Sequence, residues 1–176
     1  MTVFNFGSIN VDHIYRVSNF VRPGETLATQ SYQRMLGGKG ANQSIALARA
    51  GAKVKHIGRI SEEDQWALDI LAGDGIDITG VERCAEASGH ALIQVNDAGE
   101  NAILLHGGAN QSNTLSWAKT CLIDANKGDC LLLQNECNLI REVLMFAVAN
   151  DMLIAFNPAP MTAEVLSLPL DLVANR

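Results

Sequence analysis

The stretch Leu36-Gly37-Gly38-Lys39-Gly40-Ala41-Asn42-Gln43 constrains this chain more than any other. Three glycines around one lysine require a backbone path that side chains would obstruct. The residues after them are rich in Ala and Leu, and Ala41, Ile45 and Ala48 recur at helical spacing. Gly51 stands where such a helix stops. The segment therefore reads as a glycine loop feeding a helix N-terminus, whose free N–H groups are expected to point at a polar ligand. Lys39 adds a positive charge there. Asn42, about one turn in, offers both a donor and an acceptor. A purely structural tight turn with a solvated Lys39 is the competing reading. A nucleotide P-loop is excluded, because Gly40 follows Lys39 and no glycine lies at the required distance before it.

The 176 residues suit one domain or a portion of a larger one, and 48% hydrophobic content is ample for a core. A formal charge of −6 argues against nucleic acid as a partner. No apolar run is long enough to span a membrane, and the N-terminus lacks signal-peptide character. Cys84, Cys121, Cys130 and Cys137 show no Cys-x-x-Cys pairing and read as free thiols in a reducing, cytoplasmic setting. His13, His56, His90 and His106 are scattered without metal-ligand spacing, so no metal site is expected.

Val3 to Gly7 reads as a first strand, ending in Ser8-Ile9-Asn10-Val11-Asp12. Its polar side chains would stand at the C-terminal edge of a parallel sheet, where ligands bind. Asn10 and Asp12 are two apart and face the same way in a strand. A turn in which both bond their own backbone is the alternative. Instead of a helix, extended segments follow around Ile14–Val17 and Leu27–Met35, before the glycine loop, helix 41–50 and a strand at Val54–Ile57. Ser61 is expected to cap a helix running to about Ala72, with Glu62, Glu63 and Asp64 at its positive end. Ala91–Val95 and Asn101–Leu105, joined by Asn96–Glu100, form a hairpin signal. Each extended pair is marginal alone, so the two are expected to join in one small sheet. From Thr114 the pattern alternates: helix 114–126, strand 130–134, helix 139–149, strand 153–156, a short helix near 163–166 and a last strand at 170–173.

Taken in order, Gly7-Ser8-Ile9-Asn10-Val11-Asp12, Arg22-Pro23-Gly24-Glu25-Thr26, Gly37-Gly38-Lys39-Gly40-Ala41-Asn42-Gln43, Gly99-Glu100-Asn101, Gln134-Asn135-Glu136 and Asn157-Pro158-Ala159-Pro160 resemble the N-terminal part of the ribokinase-like (PfkB) carbohydrate kinases. The resemblance spans essentially the whole chain. It implies an α/β fold: a parallel sheet flanked by helices, with a small β-sheet lid inserted at about 12–36 and 90–107 of a unit covering 1–176. It implies ATP-dependent phosphorylation of a sugar hydroxyl, D-ribose first, with fructose and nucleoside kinases sharing the pattern. Asn10 and Asp12 would bond sugar hydroxyls, Gly38, Lys39, Gly40 and Asn42 would hold the sugar from the other side, and Glu136 would approach it from its strand end. Asn175 matches an asparagine near the ATP phosphates. The co-substrate would be Mg-ATP and the activating ion a monovalent cation, K⁺, neither bound by this stretch alone. Two copies would pair through their lids, with Ile93, Val95, Ile103 and Leu105 on the lid face turned away from the sugar.

The departures also carry information. The family usually has Gly at the positions of Ser61 and Ala67, and Ser61 would be strained if its φ were positive. The family's catalytic half, including its Gly-Ala-Gly-Asp base, is implied to lie beyond Arg176. No catalytic residue is therefore assigned here, and the alternatives are a sugar-binding module without chemistry or a portion of a related sugar kinase. A dinucleotide-binding reading fails, because no Gly-x-Gly-x-x-Gly follows the first strand.

Overall fold

The structure, a computed structural model, describes residues 1–174. Its body is a five-stranded sheet in the order β5-β4-β1-β8-β9, built from β1 (Thr2–Phe6), β4 (Lys53–Ser61), β5 (Asp77–Cys84), β8 (Cys130–Gln134) and β9 (Leu153–Asn157). Every pairing in it is parallel. Such a sheet must be covered on both faces, and the central strand β1 is accordingly buried along almost its whole length. On one face, Phe4, Phe6, Leu131 and Leu133 pack with α3 (Leu115–Cys121) and α4 (Ile140–Ala149). On the other, Val54 and Ile60 pack with α1 (Lys39–Arg49) and α2 (Gln65–Gly73). Each fully buried Leu or Phe contributes roughly 1.5–3 kcal/mol.

The second sheet is a four-stranded lid in the order β3-β2-β6-β7, from β2 (Asn10–Arg16), β3 (Ser31–Gly37), β6 (Gly89–Val95) and β7 (Asn101–His106). The two hairpins join through the parallel pair β2–β6, as expected of two marginal excursions. Gly99, with φ +80°, makes the turn between β6 and β7.

Several expectations are corrected. Asn10 and Asp12 do not extend β1: the chain leaves the body sheet at Gly7-Ser8-Ile9, and both residues stand on lid strand β2. Asp77–Cys84 is a strand that its polar composition concealed, because β5 is a sheet edge and needs no apolar run. Leu170–Ala174 is helix α5 instead of a last strand. Pro169 precedes it with φ suited to a first turn, and four apolar-rich residues cannot separate a period of two from a helical one. Ser61 caps a 3-10 turn, Glu62–Asp64, before α2 begins; its φ is −62°, so it carries no strain. Helix 114–126 is shorter, ending at Cys121.

The lid's apolar row also lies elsewhere than expected. Register pairs Asp12 with Ala91 and Ala91 with Leu105 in one row across the lid, and Ile14 with Ile93 and Ile93 with Ile103 in the next. Paired residues share a face, so Ile93, Ile103 and Leu105 stand on the same side as Asp12. The opposite side carries His13, Leu92 and Leu104. Register alternates strictly with sequence, and one residue of offset decides the side.

Candidate sugar site at the lid root

Glycines bring the lid and body backbones together. A Cβ on Gly37 would come within 2.1 Å of the Asp12 carboxylate, so glycine here leaves that carboxylate its room. Gly38 adopts φ +91°, and a Cβ there would press on Asn10 N and Ser8 O. A Cβ on Gly40 would sit 2.5 Å from Gly7 C, so β1 and α1 meet backbone to backbone.

The first N–H groups of α1 are not free, contrary to expectation. Lys39 N donates to Glu136 Oε2 at 3.0 Å, Gly40 N to Ser8 Oγ at 3.2 Å and Ala41 N to Ser8 O at 2.9 Å. The carboxylate of Glu136 therefore takes the place that the helix terminus offers to an anion. It also accepts from Lys39 Nζ at 2.6 Å and Ser8 Oγ at 2.5 Å. Burial pushes the Glu136 pKa up, but the hydrogen bonds from Lys39 and Ser8 outweigh it and hold it below the usual value.

Asp12 is half-buried across the opening from Glu136. Burial, then the charge of Glu136, raises its pKa above the ordinary Asp value, with His13 opposing. Asn10 is buried, and its Oδ1 accepts from Asn110 Nδ2 at 2.7 Å. Asn42 is exposed on the first turn of α1; its backbone N–H donates to Gly38 O at 3.0 Å, and its side chain makes no hydrogen bond among the described residues. Asn175 lies outside the described residues. The structure thus brings Asn10, Asp12, Lys39 and Glu136 together from three distant segments, around a loop formed by Gly38 and Gly40.

A buried polar chain supports the loop from beneath. Asn5 Nδ2 donates to Gly40 O at 2.8 Å and Ser44 Oγ at 2.7 Å, and Gln134 Nε2 donates to Asn5 Oδ1 at 2.8 Å. His56 Nε2 lies 3.1 Å from Gly7 O, which can only accept, so Nε2 carries the proton and Nδ1 accepts from Ser44 Oγ at 2.8 Å. Burial lowers the His56 pKa to about 4.

Two residues escaped the sequence reading. Ser8 reads only as part of a strand end, and Asn110 carries no motif of its own. Asn110 follows Gly107-Gly108, and Gly108 has φ +48°; that glycine pair at the lid exit was the available signal. Two hollows lie away from Asn10, Asp12, Lys39 and Glu136. One of about 450 Å³ lies at the opposite edge of the body sheet beside Lys53, Lys55 and Asp129. Another of about 400 Å³ lies against the outer lid face beside Tyr15, Leu92 and Leu104.

A parallel α/β body, a β lid and paired carboxylates around a glycine–lysine loop define a carbohydrate-kinase architecture. Residues 2–160 match the pfkB family carbohydrate kinase profile, and the chain belongs to that family. It is 39% identical over 175 residues to the ribokinase of Haemophilus influenzae, covering 95% of this chain and 57% of that protein. It is 36% identical over 174 residues to the ribokinase of Staphylococcus aureus, covering 92% and 56%. Among solved structures it superimposes on the ribokinase of Cryptococcus neoformans var. grubii in complex with ADP with a TM-score of 0.78 at 32% identity, covering 97% of this chain and 56% of that one. The chain spans a little over half the length of these relatives.

Proposed function

We propose that this chain supplies the sugar-binding half and lid of an ATP-dependent sugar kinase, with D-ribose the first substrate to test. The observation that carries this reading is the convergence of Asp12, Asn10, Lys39 and Glu136 at the lid root. Two carboxylates, an amide and an ammonium can meet several hydroxyls of one sugar with directed, charge-assisted bonds. Before sugar arrives, Lys39 and Glu136 hold each other, so sugar hydroxyls would enter by sharing these partners. The lid face above them carries Ile14 and Ile93, which would exclude water.

Phosphoryl transfer depends on positioning and charge stabilisation. The residues described here serve positioning. The relatives extend well beyond the matched stretch, and the base and phosphate-stabilising groups are assigned there by resemblance. Among the described residues no group of three or more His, Cys, Asp or Glu is arranged to hold a metal ion, and Mg²⁺ and K⁺ enter this reading through the resemblance alone. Association of two copies through the apolar lid face belongs to the same reading, because Ile103 and Leu105 are exposed there.

Calorimetric titration with ribose tests the binding half. A coupled ADP-release assay with ribose, ATP, Mg²⁺ and K⁺ tests the chemistry. The expected result is ribose binding without turnover by the isolated chain. Turnover within tenfold of the usual kinase range, about 1–100 s⁻¹, would overturn the assignment of chemistry to other segments.

A further inference from the structure

The side chain of Asn110 sits where the lid strands rejoin the body, and it is 2% exposed. Its polarity follows from its neighbours without any choice of amide orientation. The Ile9 backbone N–H can only donate, and it lies 3.0 Å from one terminal atom of Asn110, which must be Oδ1. The other terminal atom is then the NH₂ group. It lies 2.7 Å from Asn10, so the Asn10 atom facing it must be the acceptor Oδ1. The NH₂ group of Asn10 is left over, and it has no protein acceptor among the described residues.

The surroundings hold this arrangement in place. A Cβ on Gly89 would meet Asn110 Nδ2 at 2.0 Å and Asn10 Oδ1 at 2.5 Å, so Gly89 keeps open the space where the two amides join. The Asn110 backbone carbonyl accepts from Asn113 Nδ2 at 2.9 Å and Asn138 N at 3.3 Å. Asn138 is two residues beyond Glu136, so one turn braces both sides of the site.

We propose that Asn110 is a positioning residue that consumes the acceptor of Asn10 and makes Asn10 a donor toward the substrate. This rests on the sugar-site reading above. Asn10 and Asp12 are then complementary: one donates to a hydroxyl oxygen while the other accepts a hydroxyl proton. A substituent that can only donate, such as an ammonium group replacing the hydroxyl at Asn10, would be rejected.

Two measurements test it. In the isotopically labelled wild-type chain, NMR correlations across hydrogen bonds should link the Asn110 NH₂ to the Asn10 side-chain carbonyl, and the Ile9 amide to the Asn110 side-chain carbonyl. A correlation from the Asn10 NH₂ to the Asn110 carbonyl would overturn the proposal, and this readout needs no sugar. The second is ribose titration of Asn110→Asp, which keeps an acceptor for Ile9 but loses the donor. The introduced carboxylate should attract the Asn10 NH₂, turn its oxygen to the site and weaken ribose by about tenfold or more. Asn110→Ala, which leaves Asn10 free to turn, should weaken ribose less. Losses of affinity that merely follow losses of thermal stability across the two variants would overturn the positioning role. Absence of ribose binding by the wild type would overturn the sugar reading and with it the role toward substrate, while the NMR result would still report the amide polarity.

Discussion

The Lys39 ammonium meets the Glu136 carboxylate at 2.6 Å, and that same carboxylate accepts the Lys39 backbone N–H at 3.0 Å. One residue thus grips another twice, across 97 positions of sequence. Glu136→Gln keeps the shape and removes the charge. Allowing for the partly exposed Lys39, the unfolding free energy should fall by about 1–2 kcal/mol at pH 7, read from urea denaturation. Because the folded pKa of Glu136 is lowered, its contribution is present above the ordinary value of 4.5 and is lost as pH falls through the folded value. Wild type and variant should therefore converge in acid. A gap that stays constant with pH would remove the charge from the explanation.

Asp12 behaves in the opposite sense. Burial and the nearby Glu136 raise its pKa, so ionising it costs the folded state. The protonated form favours folding at low pH, and that advantage is lost as pH rises through the folded value. Asp12→Asn should raise the thermal midpoint at pH 7, with the gain vanishing below the ordinary value of 3.8. Ribose affinity should fall about tenfold or more through the lost charged acceptor. A stability loss at pH 7 would contradict this account of Asp12.

His56 must stay neutral to donate to Gly7 O and accept from Ser44. The unfolded chain takes up a proton near 6.5 while the folded chain resists until about 4. Stability should decline as pH falls across that window, by up to roughly 3 kcal/mol. His56→Gln should lower stability at pH 7 and flatten this slope, as measured by denaturation at half-unit pH steps. An unchanged slope would assign the pH dependence to other groups.

Lid association distinguishes the two faces of one sheet. Ile93→Lys with Ile103→Lys places charge on the face shared with Asp12. Leu92→Lys with Leu104→Lys places it on the other. Light scattering coupled to size exclusion should show the wild type as a dimer, the isoleucine variant as a monomer and the leucine variant still as a dimer. A wild-type monomer at tens of micromolar would refute association, and a dimer broken only by the leucine pair would move the contact to the outer face.

Much of this architecture is legible in the sequence itself. The glycine–lysine loop announced α1, because its backbone requirement is local. The apolar runs 130–134 and 153–156 announced buried parallel strands for the same reason. The features that were missed depend on distant partners. That the α1 N–H groups are occupied depends on Ser8 and Glu136, which no local pattern ties to Lys39. The face carried by Ile93 depends on register with Ile14. Asn110 has no motif of its own, and its importance comes from one backbone donor at Ile9. Strand β5 is hidden because an edge strand can carry Asp77, Thr79 and Arg83 exposed to solvent.

The parallel pairing of Asn10 with Gly89 also bears on the order in which the molecule assembles. Each hairpin closes a short loop, whereas joining β2 to β6 closes a long one that contains α1, β4, α2 and β5. Long loops are entropically late to close, and non-local parallel pairing is slow. The β2–β6 seam should therefore form after the β1–β4 pair, which closes a shorter loop. Amides of β2 and β6 would gain protection from hydrogen exchange later than those that join β1 to β4, and a nascent chain would expose its apolar lid face until the two hairpins join.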